Sequence, residues 1–192
     1  GLVGSEMCIR DRDTTAGSIN DIRDDDKVPD KEDSFGNEDN NVSTGIYVLE
    51  KGEKLNQKIK DAESVTFTWK SAPEGAVTTD VSQNKDGSIV LWNDGGDCYI
   101  SSQRAGQVIY MNAISSKMFK NCRNLTEINF KNIDTSAVVD MSQMFYAMDS
   151  IKTLDLSSFN TSNVEDVSQM FYGNPVLKTT YVMDQILKIE ED

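Results

Sequence analysis

From Ile114 onward the apolar positions of the chain fall on a fixed period. Met118, Met144 and Met170 stand 26 residues apart, as do Phe119, Phe145 and Phe171. Leu125, Ile151 and Leu177 keep the same spacing, and so do the pairs Ile128/Leu154, Phe130/Leu156, Ile133/Phe159 and Val138/Val164. Polar positions repeat with them: Asp134-Thr-Ser answers to Asn160-Thr-Ser, and Asp140 to Asp166. A period of this length predicts one supersecondary unit per turn, stacked so that each unit buries the apolar edge its neighbour leaves wet. In "IKTLDLSS", Leu154 and Leu156 alternate with Thr153, Asp155 and Ser157, which predicts a short strand with one face inward. Asp140 is placed to cap a following turn, and Gln143 to complete a variant capping box. Met141, Met144, Phe145 and Met148 then fall on one face of a short helical turn. In the next copy Gly173 and Pro175 act as stop signals.

Upstream, residues 42–113 read as a β-rich cap of short strands and turns. "TGIYVLE" and "SVTFTWK" are β-rich runs, and "EKLNQKIKDAE" between them has Leu55, Ile59 and Ala62 at helical spacing. "GSIVLW", "CYISS" and "QVIYM" are separated by "NDGGD" and "QRAG", which predicts hairpins. "SQNKDG" resembles half a calcium loop, but Ser82 and Asn93 occupy the positions that need an acidic ligand, so a tight turn at Asp86-Gly87 is expected.

Residues 13–41 contain mostly Asp, Glu, Asn, Ser and Gly with isolated apolar residues, and predict a disordered acidic linker. "DDDKVPDKED" fails as a calcium loop because Pro29 stands where the sixth-position glycine belongs. The first twelve residues, "GLVGSEMCIRDR", resemble one translated frame of a sequencing-library adapter, which would make Cys8 foreign and leave the natural N-terminus, with any signal peptide, upstream.

The net charge of −13 argues against nucleic acid or an anionic membrane as partner. No apolar run approaches the ~18 residues a bilayer span needs. The chain has no histidine, which removes the commonest general base and metal ligand. No phosphate-binding glycine loop follows a strand, and the repeated Asp140 and Asp166 recur with the period rather than as a catalytic pair. No enzyme activity, cofactor or metal is therefore expected. Trp69, Trp92, Tyr99 and Tyr110 either form a sugar-stacking platform or alternate between core and surface of the hairpins. Cys98 and Cys122 either pair in an oxidising compartment or stay as buried thiols; the alignment of Cys122 with Met148 and Asn174 favours the thiol.

"LTEINFKNIDTSAVVDMSQMF" and "IKTLDLSSFNTSNVEDVSQMFYGNPVLKT" resemble the BspA-type leucine-rich repeats of bacterial surface proteins, and "SIVLWNDGGDCYIS" with "GQVIYMNAISSKMF" resembles the β-rich segment that precedes them. After Thr180 the pattern departs. The resemblance implies a β-rich, α+β solenoid: a leucine-rich-repeat stack of about three repeats over residues 114–192, behind the cap. It also implies display at the cell surface or secretion, and adhesion to host or microbial proteins or glycans. The side chains flanking the strand leucines would then form the binding face: Glu127, Asn129, Lys131, Thr153, Asp155, Ser157, Thr179 and Tyr181. A solvated sheet face, in a chain that serves as a rigid spacer for another domain, is the alternative.

Overall fold

The computed structural model describes residues 47–182, with the backbone alone over 179–182. The expectations for residues 1–12 and 13–41 lie outside the described residues. Helix α1 spans Gly52–Ile59, and nine short strands follow: β1 Ser64–Thr68, β2 Thr79–Asp80, β3 Val90–Asp94, β4 Asp97–Ser101, β5 Ile109–Tyr110, β6 Glu127–Asn129, β7 Ile133–Asp134, β8 Thr153–Leu156 and β9 Thr179–Val182.

α1 forms where the helical spacing predicts it, with Leu55 and Ile59 buried. β3 and β4 close the hairpin expected around Gly95-Gly96, and Gly95 takes the positive φ of 63° that the turn needs. The second expected hairpin does not form. Gly106 turns the chain back early, Ser102 Oγ donates to the Gln107 carbonyl, and β5 pairs in parallel with β7 instead of with β4. Among its described residues, "TGIYVLE" contributes isolated bridges at Val48 and Leu49. The Asp86-Gly87 turn is present: Asp80 Oδ2 accepts the Gly87 N–H and Ser82 Oγ accepts that of Asp86.

The expected solenoid is not found. The described residues form a small β-rich domain with one short helix and mixed sheets. A leucine-rich-repeat stack carries one continuous parallel sheet across its turns. Here the strands divide into a five-stranded sheet in the order β2-β3-β4-β1-β6 and two two-stranded sheets, β5-β7 and β8-β9. β1, from the upstream region, takes β6 as its parallel neighbour, with Ser64 opposite Glu127 and Thr66 opposite Asn129, so β6 closes the five-stranded sheet while β8 pairs with β9.

The 26-residue period nonetheless governs the core. Met118, Phe119, Met141, Met144, Phe145 and Met148 are fully buried in one cluster that runs from Leu49 to Met170. The Phe145 ring lies between Phe119 at 5.5 Å and Phe171 at 5.7 Å, nearly parallel to both. Phe130 meets Phe119 and Phe145 edge-on and stacks on Phe67 from β1, which joins the upstream sheet to the periodic part. Offset and edge-on aromatic contacts of this kind add to burial energy.

These core residues are held by turns, not by the helical turn their spacing suggests. Gln143 and Ala147 have φ of 54° and 52°, which breaks a right-handed helix at both positions. The capping box is absent as well: the Asp140 N–H donates to the Ala113 carbonyl, and Gln143 turns its side chain to Lys120 and Gln169. Asp140 Oδ1 accepts both the N–H and the hydroxyl of Ser142, an Asx turn.

The upstream end is closed by α1. A Cβ on Gly52 would clash with the Ser116 and Ser115 carbonyl oxygens, so only glycine allows the approach. Glu50, just before the helix, is 3% exposed and is neutralised by Lys58 and Lys85. Two cations on one buried carboxylate satisfy both its oxygens, which burial of a lone charge would not allow.

Candidate functional site

The sequence-predicted face is only partly assembled. Glu127 opens β6 and is exposed; Asn129 closes it and is half-buried. Thr153 and Asp155 stand exposed on β8 between Leu154 and Leu156, which point into the core, and Ser157 follows them at the surface. Thr179 and Tyr181 have backbones in register with Thr153 and Asp155, while their side chains fall outside the described residues. Lys131 is exposed between the two groups, and its charge reaches Asp155. The fold thus places Lys131 beside β8, but it puts Glu127 and Asn129 in a different sheet from Thr153 and Asp155.

Two of these residues also hold the chain in place. Asn129 Oδ1 accepts the Lys131 N–H at 3.1 Å. Asp155 Oδ1 accepts the Ser157 N–H at 3.0 Å and its hydroxyl at 2.6 Å. The Ser157 hydroxyl and N–H, joined by the charge of Lys131, hold the Asp155 carboxyl below the ordinary carboxylate range. The same Asx turn recurs at Asp134, Asp140, Asn160 and Asp166, each accepting the N–H two residues on. The signal was present in the sequence as a recurring Asx-x-Ser, which favours this turn wherever the next residues leave the strand or helix.

The structure adds residues that the periodic reading did not supply. Register carries the outer face of β6 across the sheet from Asn129 to Thr66 and Tyr99, and Tyr99 stacks on Trp92 at 5.3 Å with the rings 12° apart. The four aromatics Trp69, Trp92, Tyr99 and Tyr110 do not make one platform. Trp92 is 5% exposed and Trp69 44%, while Tyr110 lies in the β5-β7 sheet.

Cys98 and Cys122 are both free and fully buried. Burial pushes each thiol up to about 12, with the Asp61 charge and the neighbouring Cys98 adding to the effect at Cys122. Such thiols are poor nucleophiles and poor metal ligands. Among the described residues no group of His, Cys, Asp and Glu is arranged to hold a metal ion. Also among the described residues, no helix is long and apolar enough to cross a membrane.

Residues 103–186 match the model of a family described as "Mycoplasma protein of unknown function, DUF285". The matched stretch contains all three Met-Phe segments together with β6 to β9, and begins before β5. It spans less than half of the 192-residue chain. No curated protein and no solved structure matches the chain.

Proposed function

We propose that this chain is a non-catalytic segment of a surface-displayed or secreted bacterial protein, related to the BspA-type surface proteins, and that it binds a protein or glycan partner through the exposed side chains of β6, β8 and the loops that leave them. The supporting observation is the alternation on β8. Leu154 and Leu156 are withdrawn into the core, while Thr153, Asp155 and Ser157 remain at the surface beside Lys131. The leucines supply the packing, and the polar side chains between them are left free for recognition. A shallow face of short polar side chains suits a macromolecular partner or an extended glycan better than a small metabolite, which favours a concave pocket. Asn129 and Asp155 each commit an oxygen to a turn, so the groups free for contact are chiefly those of Glu127, Lys131 and Thr153.

The test is binding of the full chain to immobilised extracellular-matrix proteins and glycans, alongside the triple variant Glu127→Ala, Lys131→Ala, Thr153→Ala. The reading expects a partner that the wild type holds and the variant loses, with the same melting temperature for both. A rigid spacer that presents another domain is the second reading, favoured by the single core cluster running from Leu49 to Met170. A folded wild type that binds no member of the panel supports the spacer.

A further inference from the structure

Strand register places two rows of side chains on the outer face of the five-stranded sheet. In the first, Trp92 stands opposite Tyr99, Tyr99 opposite Thr66, and Thr66 opposite Asn129. In the second, two residues along each strand, Asp94 stands opposite Asp97, Asp97 opposite Ser64, and Ser64 opposite Glu127. Val65 and Cys98, between the rows, are buried in the core, so both rows point away from it.

The rows enclose a slot over β1. Trp92 backs one face of the Tyr99 ring, and the other face looks across β1 toward Asn129. Neighbouring strands lie ~4.8 Å apart, so these two walls stand roughly 9–10 Å apart. Thr66 and Ser64 are too short to fill that gap and form its half-buried floor. The exposed carboxylates of Asp97 and Glu127 flank one end. Ser64 Oγ donates to Asp97 Oδ1 at 2.7 Å, which leaves Oδ2 available. Asp94 and Asp97 form a directly opposed like-charge pair, a cost that a nearby cation relieves. Among the described residues the ion pairs serve Glu50, Glu53 and Asp149, and none reaches Asp94, Asp97 or Glu127. Lys131 lies beyond Asn129, away from these carboxylates, and its charge acts on Asp155.

A flat aromatic wall beside carboxylates without a cation fits one side chain best. A guanidinium is planar, stacks on an aromatic face and donates a fork of N–H groups to carboxylates. An ammonium is a compact, strongly hydrated charge, and a neutral sugar leaves the carboxylates unpaired. We propose that the slot over β1 takes an arginine side chain of a partner polypeptide, its guanidinium against Tyr99 and its N–H groups on Asp97 and Glu127. The net charge of −13 favours the approach of such a basic partner. This inference rests on the reading of the β6 face as a binding surface, and it narrows the partner to a basic protein segment.

The experiment titrates the isotope-labelled full chain with the capped peptide Ser-Arg-Ser-Arg-Ser and follows backbone amide shifts by NMR. Peptides with lysine or citrulline in place of arginine are the comparison probes. The expected result is saturable shifts at Ser64, Thr66, Tyr99 and Asn129 with a Kd below about 1 mM. Lysine should weaken binding by about fivefold or more, and citrulline should abolish it. The isosteric variant Asp97→Asn should weaken the arginine peptide by about the same factor with a melting temperature no lower than the wild type. Equal binding of the arginine and lysine peptides, shifts confined to other residues, or an Asp97→Asn variant that binds like the wild type overturns the proposal. So does movement of the same amides by maltotriose and not by the arginine peptide, which makes the slot a glycan site. The two readings fail separately. A panel ligand held by a chain whose slot amides the arginine peptide does not move overturns the slot alone. A chain that takes the arginine peptide here and binds no member of the matrix-protein and glycan panel keeps the slot and overturns the broader reading.

Discussion

Phe119 and Phe145, 26 residues apart in the chain, lie with ring centroids 5.5 Å apart and planes 2° apart, while the Phe119 N–H donates to the Met144 carbonyl at 2.9 Å. Backbone and side chain therefore repeat in the same register. Phe145 is fully buried and stacks on both sides, so its truncation opens a cavity lined by two rings that backbone bonds hold in place. Phe145→Ala is expected to cost about 3–5 kcal/mol. A thermal melt within error of the wild type contradicts this placement.

Ala147 holds a φ of 52°, where Gly173 one period later holds 75° and Asn121 one period earlier holds 59°. Alanine in the left-handed region costs about 1–2 kcal/mol, more than the unfolded-state entropy that glycine restores. Ala147→Gly is therefore expected to stabilise the domain by about 0.5–1 kcal/mol. Chemical denaturation measures it, and a lower midpoint with unchanged slope contradicts it.

The Cys98 and Cys122 thiols, pushed up to about 12 by burial, are almost wholly protonated near neutrality. In a Cys8→Ser background, a disulfide-exchange reagent at about pH 8 should label the folded protein roughly a thousandfold more slowly than the unfolded chain. Prompt labelling of either thiol under native conditions places it at the surface instead.

Asp140 lies where burial alone would raise its carboxyl, yet the hydroxyl and N–H of Ser142, the Ser116 hydroxyl and the Lys117 charge hold it below the ordinary value of 3.8. A folded value below the unfolded one gives stability that is present above about pH 4 and is lost as pH falls through the folded value. The advantage of the wild type over Asp140→Asn should therefore be full near neutrality and vanish at acid pH. An advantage that grows on acidification contradicts the assigned hydrogen bonds.

The periodic core was legible because 26-residue spacing of Met and Phe reports which side chains share a layer, whatever backbone carries them. The backbone itself was not. Asp at 140 accepts N–H groups equally well at the start of a helix and in an Asx turn. The choice is made by the left-handed φ of Gln143 and Ala147, residues that do not announce it. Sheet membership was hidden for a different reason. β6 is three residues long, and its neighbour β1 lies some sixty residues upstream, so no local pattern marks the pairing that draws it into the five-stranded sheet. The exposed residues of the candidate face were readable from the alternation on β8. Their extension through Thr66, Tyr99 and Trp92 needed the register of the five-stranded sheet.

The Met-Phe segments build the core, and the proposed function gives the polar residues beside the strands to a partner. The most direct test is surface plasmon resonance of the wild type and the Glu127→Ala, Lys131→Ala, Thr153→Ala variant over the matrix-protein and glycan panel. The expected result is at least one ligand bound by the wild type and lost by an equally stable variant. A ligand held equally by both, or none held by a folded wild type, contradicts it.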